Sequence, residues 1–276
     1  MDVLLSLART VALRPYVFLF LACFLLLAVS AWGWRRTMVF SLLGFGMAWA
    51  AEAYSVRTGF PFGEYVYFSD HTQDSELWVA GVPLMCSLSF VFLTFAGLQT
   101  ARLMLVAVGR GSGGWWDTRW VHPTPAYRRV AAVALLGGVL TTGLDVVIDP
   151  VSLHGEEWFL GRLYDYPHGG FYFGVPLSNF AGWLLVSWAI IGLFLLLDLL
   201  VLRRAWGDWR SHRSDALGGL ALFTGVLAFN IIVAFAIGQV VLGVLGCLWA
   251  GVLLWPVVMR LREARRSDTR AGLPAR

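Results

Sequence analysis

Apolar residues in this chain neither alternate with polar ones nor recur every three to four positions. They run nearly unbroken for about twenty residues at a time. Seven such runs cover about residues 16–34, 37–56, 77–101, 129–149, 173–202, 216–237 and 240–259. Each approaches the roughly 20 residues that a helix needs to cross the hydrocarbon core of a bilayer. The pattern predicts an all-α, polytopic transmembrane bundle of about seven spans, in a single domain over residues 1–276. The fifth run is longer than a bilayer requires and predicts a helix that tilts or protrudes. Residues 3–13 read as an interfacial helix. The first run has no small-residue cleavage site behind it, so it does not read as a cleaved signal.

Composition supports the same class. Hydrophobic residues make up 58% of the 276 and charged residues 14%, against about 25% charged in soluble domains. The mean hydropathy is +0.70. No stretch reads as a separate soluble domain. The formal charge of +4 is carried by arginine, since the sequence contains no lysine. It points to a membrane topology and not to nucleic acid. Arg35 and Arg36, Arg102 to Arg129, Arg203 to Arg213 and Arg260 to Arg270 fall in alternate loops and the tail, which should be cytoplasmic. The opposite loops, 57–76 and 150–172, carry only Arg57 and Arg162 against Glu64, Asp70, Asp74, Glu76, Glu156, Glu157 and Asp165. The expected location is a bacterial cytoplasmic membrane, with an internal C-terminus. Arg9 and Arg14 conflict with the external N-terminus that this implies. Cys23, Cys86 and Cys247 lie in apolar runs without metal or disulfide spacing and read as small packing residues.

Gly81-Val82-Pro83-Leu84 recurs as Gly174-Val175-Pro176-Leu177, an offset of 93 residues. The same offset carries Gly44 onto Gly137, Glu52 onto Asp145, Tyr65 onto Trp158 and Phe90 onto Trp183. This predicts a duplication with halves at about 37–101 and 129–202. Residues 203–276 then add two further spans and an arginine-rich tail. Copies separated by an even number of spans run parallel and commonly build a site at their interface.

Candidate chemistry sits at the ends of these runs. Glu52 closes the second run, and Thr58 to Tyr67 follow as a Gly/Pro turn with Glu64, Tyr65 and Tyr67. Ionisable groups in such a chain are costly unless they line a cavity. Asp145 and Asp149 are four apart, so on a helix they share a face, and Pro150 should end the span. Two carboxyls this close in an apolar setting do not both ionise, and the one that keeps its proton suits a general acid. The alternative is a wetted acid pair partnered by Arg57 or Arg162, with Glu52 bridged to Arg57. Asn179, just after the Pro176 turn, could orient water or a carboxylate, or could cap its helix. Trp158, Trp183, Tyr65 and Tyr67 flank the acids, as do Tyr164 and Tyr166. Their faces could shield a cation or simply form an interfacial girdle. Asn230 and Gln239 read as inter-helix hydrogen bonds. No histidine pair has metal-ligand spacing, so a metal centre is not expected. Phosphate-binding, dinucleotide and serine-elbow motifs are absent.

Taken in order, these pieces resemble a known family. They are Glu52 with Thr58-Gly59-Phe60-Pro61-Phe62-Gly63-Glu64-Tyr65-Val66-Tyr67, then Gly81-Val82-Pro83, Asp145-Val146-Val147-Ile148-Asp149-Pro150, and Gly174-Val175-Pro176-Leu177-Ser178-Asn179-Phe180-Ala181-Gly182-Trp183. The family is the integral-membrane carotenoid biosynthesis proteins, the CruF-type carotenoid 1,2-hydratases. The resemblance spans about residues 40–260. It implies addition of water to the terminal C1–C2 double bond of an acyclic (ψ) carotenoid end group, on lycopene, γ-carotene or C50 bisanhydrobacterioruberin-like substrates, with no redox cofactor. The residue roles rest on the acids themselves. Asp145 or Asp149 would donate the proton, and Glu52 or the second aspartate would hold water with Asn179. Tyr65, Tyr67, Trp158, Trp183, Arg57 and Glu64 would contact substrate. A membrane isoprenoid cyclase using the same cation, and a non-catalytic carotenoid carrier, are the competing expectations.

Overall fold

In the computed structural model, residues 3–68, 76–105, 127–207 and 213–271 are described. Asp70, His71, Asp74, Arg110, Arg119, His122, Arg210 and His212 lie outside them. Among the described residues, seven helices are long and apolar enough to cross a membrane. In chain order the helices are α1 (Val3–Leu13), α2 (Pro15–Trp32), α3 (Trp34–Thr58), α4 (Leu84–Leu105), α5 (Tyr127–Leu153), α6 (Leu177–Leu197), α7 (Arg203–Trp206), α8 (Arg213–Ala236) and α9 (Val240–Ala271). Residues 3–13 are helical, as the sequence suggests. A π turn over Asp198–Leu202 joins α6 to α7, so the span is 30 residues long, as the length of its apolar run anticipates.

Helix α4 is the centre of the bundle. It packs on α2, α3, α5 and α8, and most of its residues are buried. Its contact with α5 is close because Gly97 presents no side chain. A Cβ there would lie 2.6 Å from the Gly137 carbonyl. The lipid-facing surfaces of α2, α8 and α9 are instead leucine, isoleucine and valine, such as Leu26, Ile232 and Val252, as an apolar solvent requires.

Two spans begin later than their hydrophobicity suggests. The third run opens at residue 77, but α4 starts at Leu84 because Trp78–Val79 (β2) and Val82–Pro83 (β3) form a hairpin. Ala80 and Gly81 make its turn, both at positive φ. The fifth run opens at 173, but Tyr172 pairs with Val175 across Phe173 and Gly174, again both at positive φ, and α6 starts at Leu177. A two-residue turn of this kind needs left-handed backbone, which glycine adopts without cost. The repeated Gly-Val-Pro-Leu is thus one turn used twice to start a helix.

Pro150 does not end α5, which continues to Leu153. A proline removes one backbone donor, and a membrane helix tolerates this where neighbours satisfy the freed groups. Pro150 stands in the last turn of α5, where its own carbonyl oxygen lies 2.9 Å from His154 Nδ1.

Strands β1 (Val66–Tyr67) and β4 (Tyr164–Asp165) pair antiparallel and clip together the loops after α3 and α5. Arg14 ties the start of α2 to the same end. It pairs with Glu76 at 2.9 Å, both side chains are nearly inaccessible, and it also donates to the Phe159 and Leu160 carbonyls. Arg14 therefore breaks the loop-charge bias because its charge is neutralised inside the protein.

Candidate active site

Glu52 lies on the inward stripe of α3 with Phe40, Gly44 and Ala48, spaced four apart. Asp145 and Asp149 lie one turn apart on α5. Asn179 lies in the first turn of α6. All four are buried, with exposures of 4%, 1%, 6% and 3% in that order. They line one cavity of about 140 Å³ at the end of the bundle away from most arginines.

The clip between β1 and β4 furnishes the roof. Side chains alternate in a strand with a period of two, so Tyr65 and Tyr67 from one loop and Tyr164 and Tyr166 from the other reach the cavity together. Tyr67 donates to Glu52 Oε2 at 3.0 Å, and Tyr65 to the Glu52 carbonyl at 3.4 Å. Tyr164 donates to Asp149 Oδ1 and Tyr166 to Asp149 Oδ2 at 2.8 Å. Burial pushes all four phenols above the ordinary tyrosine range, and the neighbouring carboxylates reinforce the shift. They remain O–H donors at neutral pH.

The Asn179 amide nitrogen joins the two aspartates, donating to Asp145 Oδ2 at 2.8 Å and Asp149 Oδ2 at 2.9 Å. Asp149 accepts three side-chain hydrogen bonds in all. Asp145 accepts one, and its Oδ1 is buried without a partner, as is Glu52 Oε1. Buried polar atoms normally find partners, and both of these oxygens belong to residues that line the cavity. The Asn179 side chain is committed to the acids and does not cap α6.

The structure brings Glu52, Asp145, Asp149, Asn179, Tyr65, Tyr67, Trp158 and Trp183 to one cavity and leaves out two residues expected there. Arg57 donates to the Ala53 carbonyl of its own helix at 2.6 Å. Five residues from Glu52, it is turned off that residue's face. Glu64 is exposed beside His168, 3.2 Å away. Arg162 pairs with Glu156 and Asp165 outside the cavity. Among the described residues no arginine lines the cavity, so the arginine-paired reading of the acids does not describe this arrangement.

Sequence reasoning missed Tyr16, Phe20, Cys86, Phe229 and Asn230, which also line the cavity. Asn230 donates to the Val226 carbonyl of its own helix at 2.9 Å and not across helices. A polar residue four positions from a cavity-facing valine was the available signal. Of the cysteines, Cys86 faces the cavity and Cys247 the lipid side. Among the described residues no group of three or more His, Cys, Asp or Glu gathers to hold a metal.

The profile of a family described as "Carotenoid biosynthesis protein" matches residues 11–253, which takes in every acid, tyrosine and helix of this site. The chain belongs to the carotenoid biosynthesis protein family. Among curated proteins it is similar to "Bisanhydrobacterioruberin hydratase" of Haloarcula japonica, 28% identical over 184 residues. That alignment covers 66% of this chain and 53% of the relative, so the chain spans about half the relative's length. No solved structure matches. Within the family, this chain supplies an apolar helical body around a small chamber that holds three acids.

Proposed function

We propose that this protein is a hydratase that adds water across the terminal C1–C2 double bond of an acyclic carotenoid end group. The observation that carries the reading is the unequal pair of aspartates joined by Asn179. Asp149 accepts three hydrogen bonds, which favours its anion. Asp145 accepts one and keeps an unpartnered oxygen, which suits the protonated member. The protonated Asp145 carboxyl gives its proton to C2, and the alkene π electrons form the new C–H bond. A tertiary cation is left at C1. The faces of Trp158, Trp183 and Tyr65 shield it, each contributing about 0.5–2 kcal/mol. A water held at Glu52 attacks C1 through oxygen, and its released proton passes to the Asp149 carboxylate. The product is a tertiary alcohol. Proton exchange between the two carboxyls through water resets the site, and no electrons are exchanged with a cofactor.

The carotenoid family and the hydratase name of the relative support this chemistry. A cyclase would form the same cation but exclude water, and the polar lining around Glu52 favours hydration. The test is expression in a lycopene-producing bacterium followed by mass analysis of the pigments. Hydration adds the mass of water for each end that reacts. Cyclisation changes the chromophore without changing mass, and a carrier changes neither.

A further inference from the structure

The three acids of the chamber are not served alike. Asp149 takes three side-chain donors, and Asp145 Oδ2 takes the Asn179 amide. Asp145 Oδ1 carries the proton in the hydratase reading. Glu52 Oε2 takes the Tyr67 hydroxyl at 3.0 Å. Glu52 Oε1 is buried and receives no hydrogen bond among the described residues. Glu52 is 4% exposed and lines the cavity, so a donor for Oε1 has to come from inside the chamber.

The side chain at position 86 accounts for this open oxygen. Cys86 stands 93 residues before Asn179, the offset that also carries Glu52 onto Asp145. Cys86 and Asn179 hold matching places. Each is the third residue of the helix that follows a Gly-Val-Pro-Leu turn, α4 from Leu84 and α6 from Leu177. Each lines the cavity. In the second set, the Asn179 amide reaches across to an oxygen of Asp145 at 2.8 Å. In the first set the matching side chain is a thiol, which is shorter and a weak donor. Tyr67 hydrogen-bonds both Cys86 and Glu52. A phenol has one hydrogen, and that of Tyr67 goes to Glu52. The thiol hydrogen therefore goes to the Tyr67 oxygen, and Glu52 Oε1 stays open. An open, buried carboxylate oxygen beside a cavity suits one small O–H donor.

We propose that Glu52 Oε1 seats the nucleophile of the reaction, and that Cys86 limits this nucleophile to the size of water. The inference rests on the hydratase reading and adds a choice of nucleophile. With the seat enlarged, a small alcohol takes the place of water. The alcohol oxygen forms the bond to C1, and the hydroxyl proton passes to the Asp149 carboxylate. The product is a tertiary ether in place of a tertiary alcohol, with no oxidation or reduction.

The test uses the full chain in lipid nanodiscs with an acyclic carotenoid in buffer containing methanol. Mass analysis gives the ratio of methyl ether to alcohol, which depends neither on the amount of protein nor on the rate of the acid step. Cys86→Ala and Cys86→Gly each make room beside Glu52 and should raise the ratio about tenfold over wild type, the discrimination a pocket draws against one extra carbon. Cys247→Ala, on the lipid side, should keep the wild-type ratio. Either position-86 variant reports if only one accumulates. A wild-type ratio in a position-86 variant that still forms alcohol overturns the proposal. So does a rise of the same size in Cys247→Ala. Wild-type protein that forms no alcohol in buffer without methanol removes the hydratase reading itself, and this inference with it.

Discussion

Phe90 of α4 and Trp183 of α6 lie face to face, with ring centroids 3.8 Å apart and planes 10° apart. Trp183 is one turn along α6 from Asn179, so the stack forms the floor beneath the amide that joins the aspartates. The two rings are also related by the offset of 93 residues. We propose that segments 37–101 and 129–202 arose by duplication, with equivalent side chains meeting where the copies face each other. Phe90→Ala should lower stability by about 3–5 kcal/mol, the usual cost of emptying a buried ring. A double-mutant cycle with Trp183→Ala should return a coupling of about 1 kcal/mol. Unfolding in mild detergent measures both, and a coupling near zero would show the rings to be independent.

Asn179 supplies the donor that Asp145 and Asp149 share. Asn179→Leu keeps the bulk and removes the donor. Hydrogen bonds to charged groups contribute about 1.5–3 kcal/mol, so turnover should fall roughly tenfold to a hundredfold. The apparent KM for carotenoid should change little, because the amide contacts the acids and not the polyene. Steady-state kinetics in nanodiscs separates the two. A raised KM with unchanged turnover would assign Asn179 to binding instead.

The tyrosine roof gives stability a pH dependence with a definite sign. In the unfolded chain a tyrosine ionises near its ordinary value of 10.0. In the folded protein burial raises Tyr67, Tyr164 and Tyr166 above it. The folded state therefore holds protons that the unfolded state has lost, so these groups contribute fully below about pH 10 and less as pH rises beyond it. The loss should approach about 1.4 kcal/mol per pH unit for each tyrosine. Melting temperatures between pH 8 and 11.5 should be flat and then fall, and Tyr166→Phe should make the fall shallower.

Arg14 and Glu76 form a buried pair across 62 residues of sequence. Removing one partner leaves the other charged without compensation, at a cost of about 3–5 kcal/mol. Arg14→Met and Glu76→Gln should each reduce accumulation in the membrane. The double replacement should recover part of that loss, as quantitative immunoblots of membrane fractions would show.

The seven spans were legible because a bilayer demands long apolar runs, and the acids because a carboxyl stands out against leucine. The helix starts at Leu84 and Leu177 were hidden because apolar strand residues extend the same runs. Tyr16, Phe20 and Phe229 were hidden because an aromatic ring in a lipid-spanning helix looks the same whether it faces lipid or a cavity. Arg57 and Glu64 were placed with the acids by proximity in sequence, whereas the helical turn after Glu52 aims one at its own backbone and the Gly/Pro turn leaves the other exposed. The Arg14–Glu76 pair joins distant segments and leaves no local pattern.

Pigment mass in a lycopene-producing bacterium expressing Asp145→Asn tests the central claim most directly, read beside protein abundance in the membrane. The account predicts that the variant accumulates as the wild type does while its pigments gain no water. Full conversion to hydroxylated pigment by Asp145→Asn would contradict it.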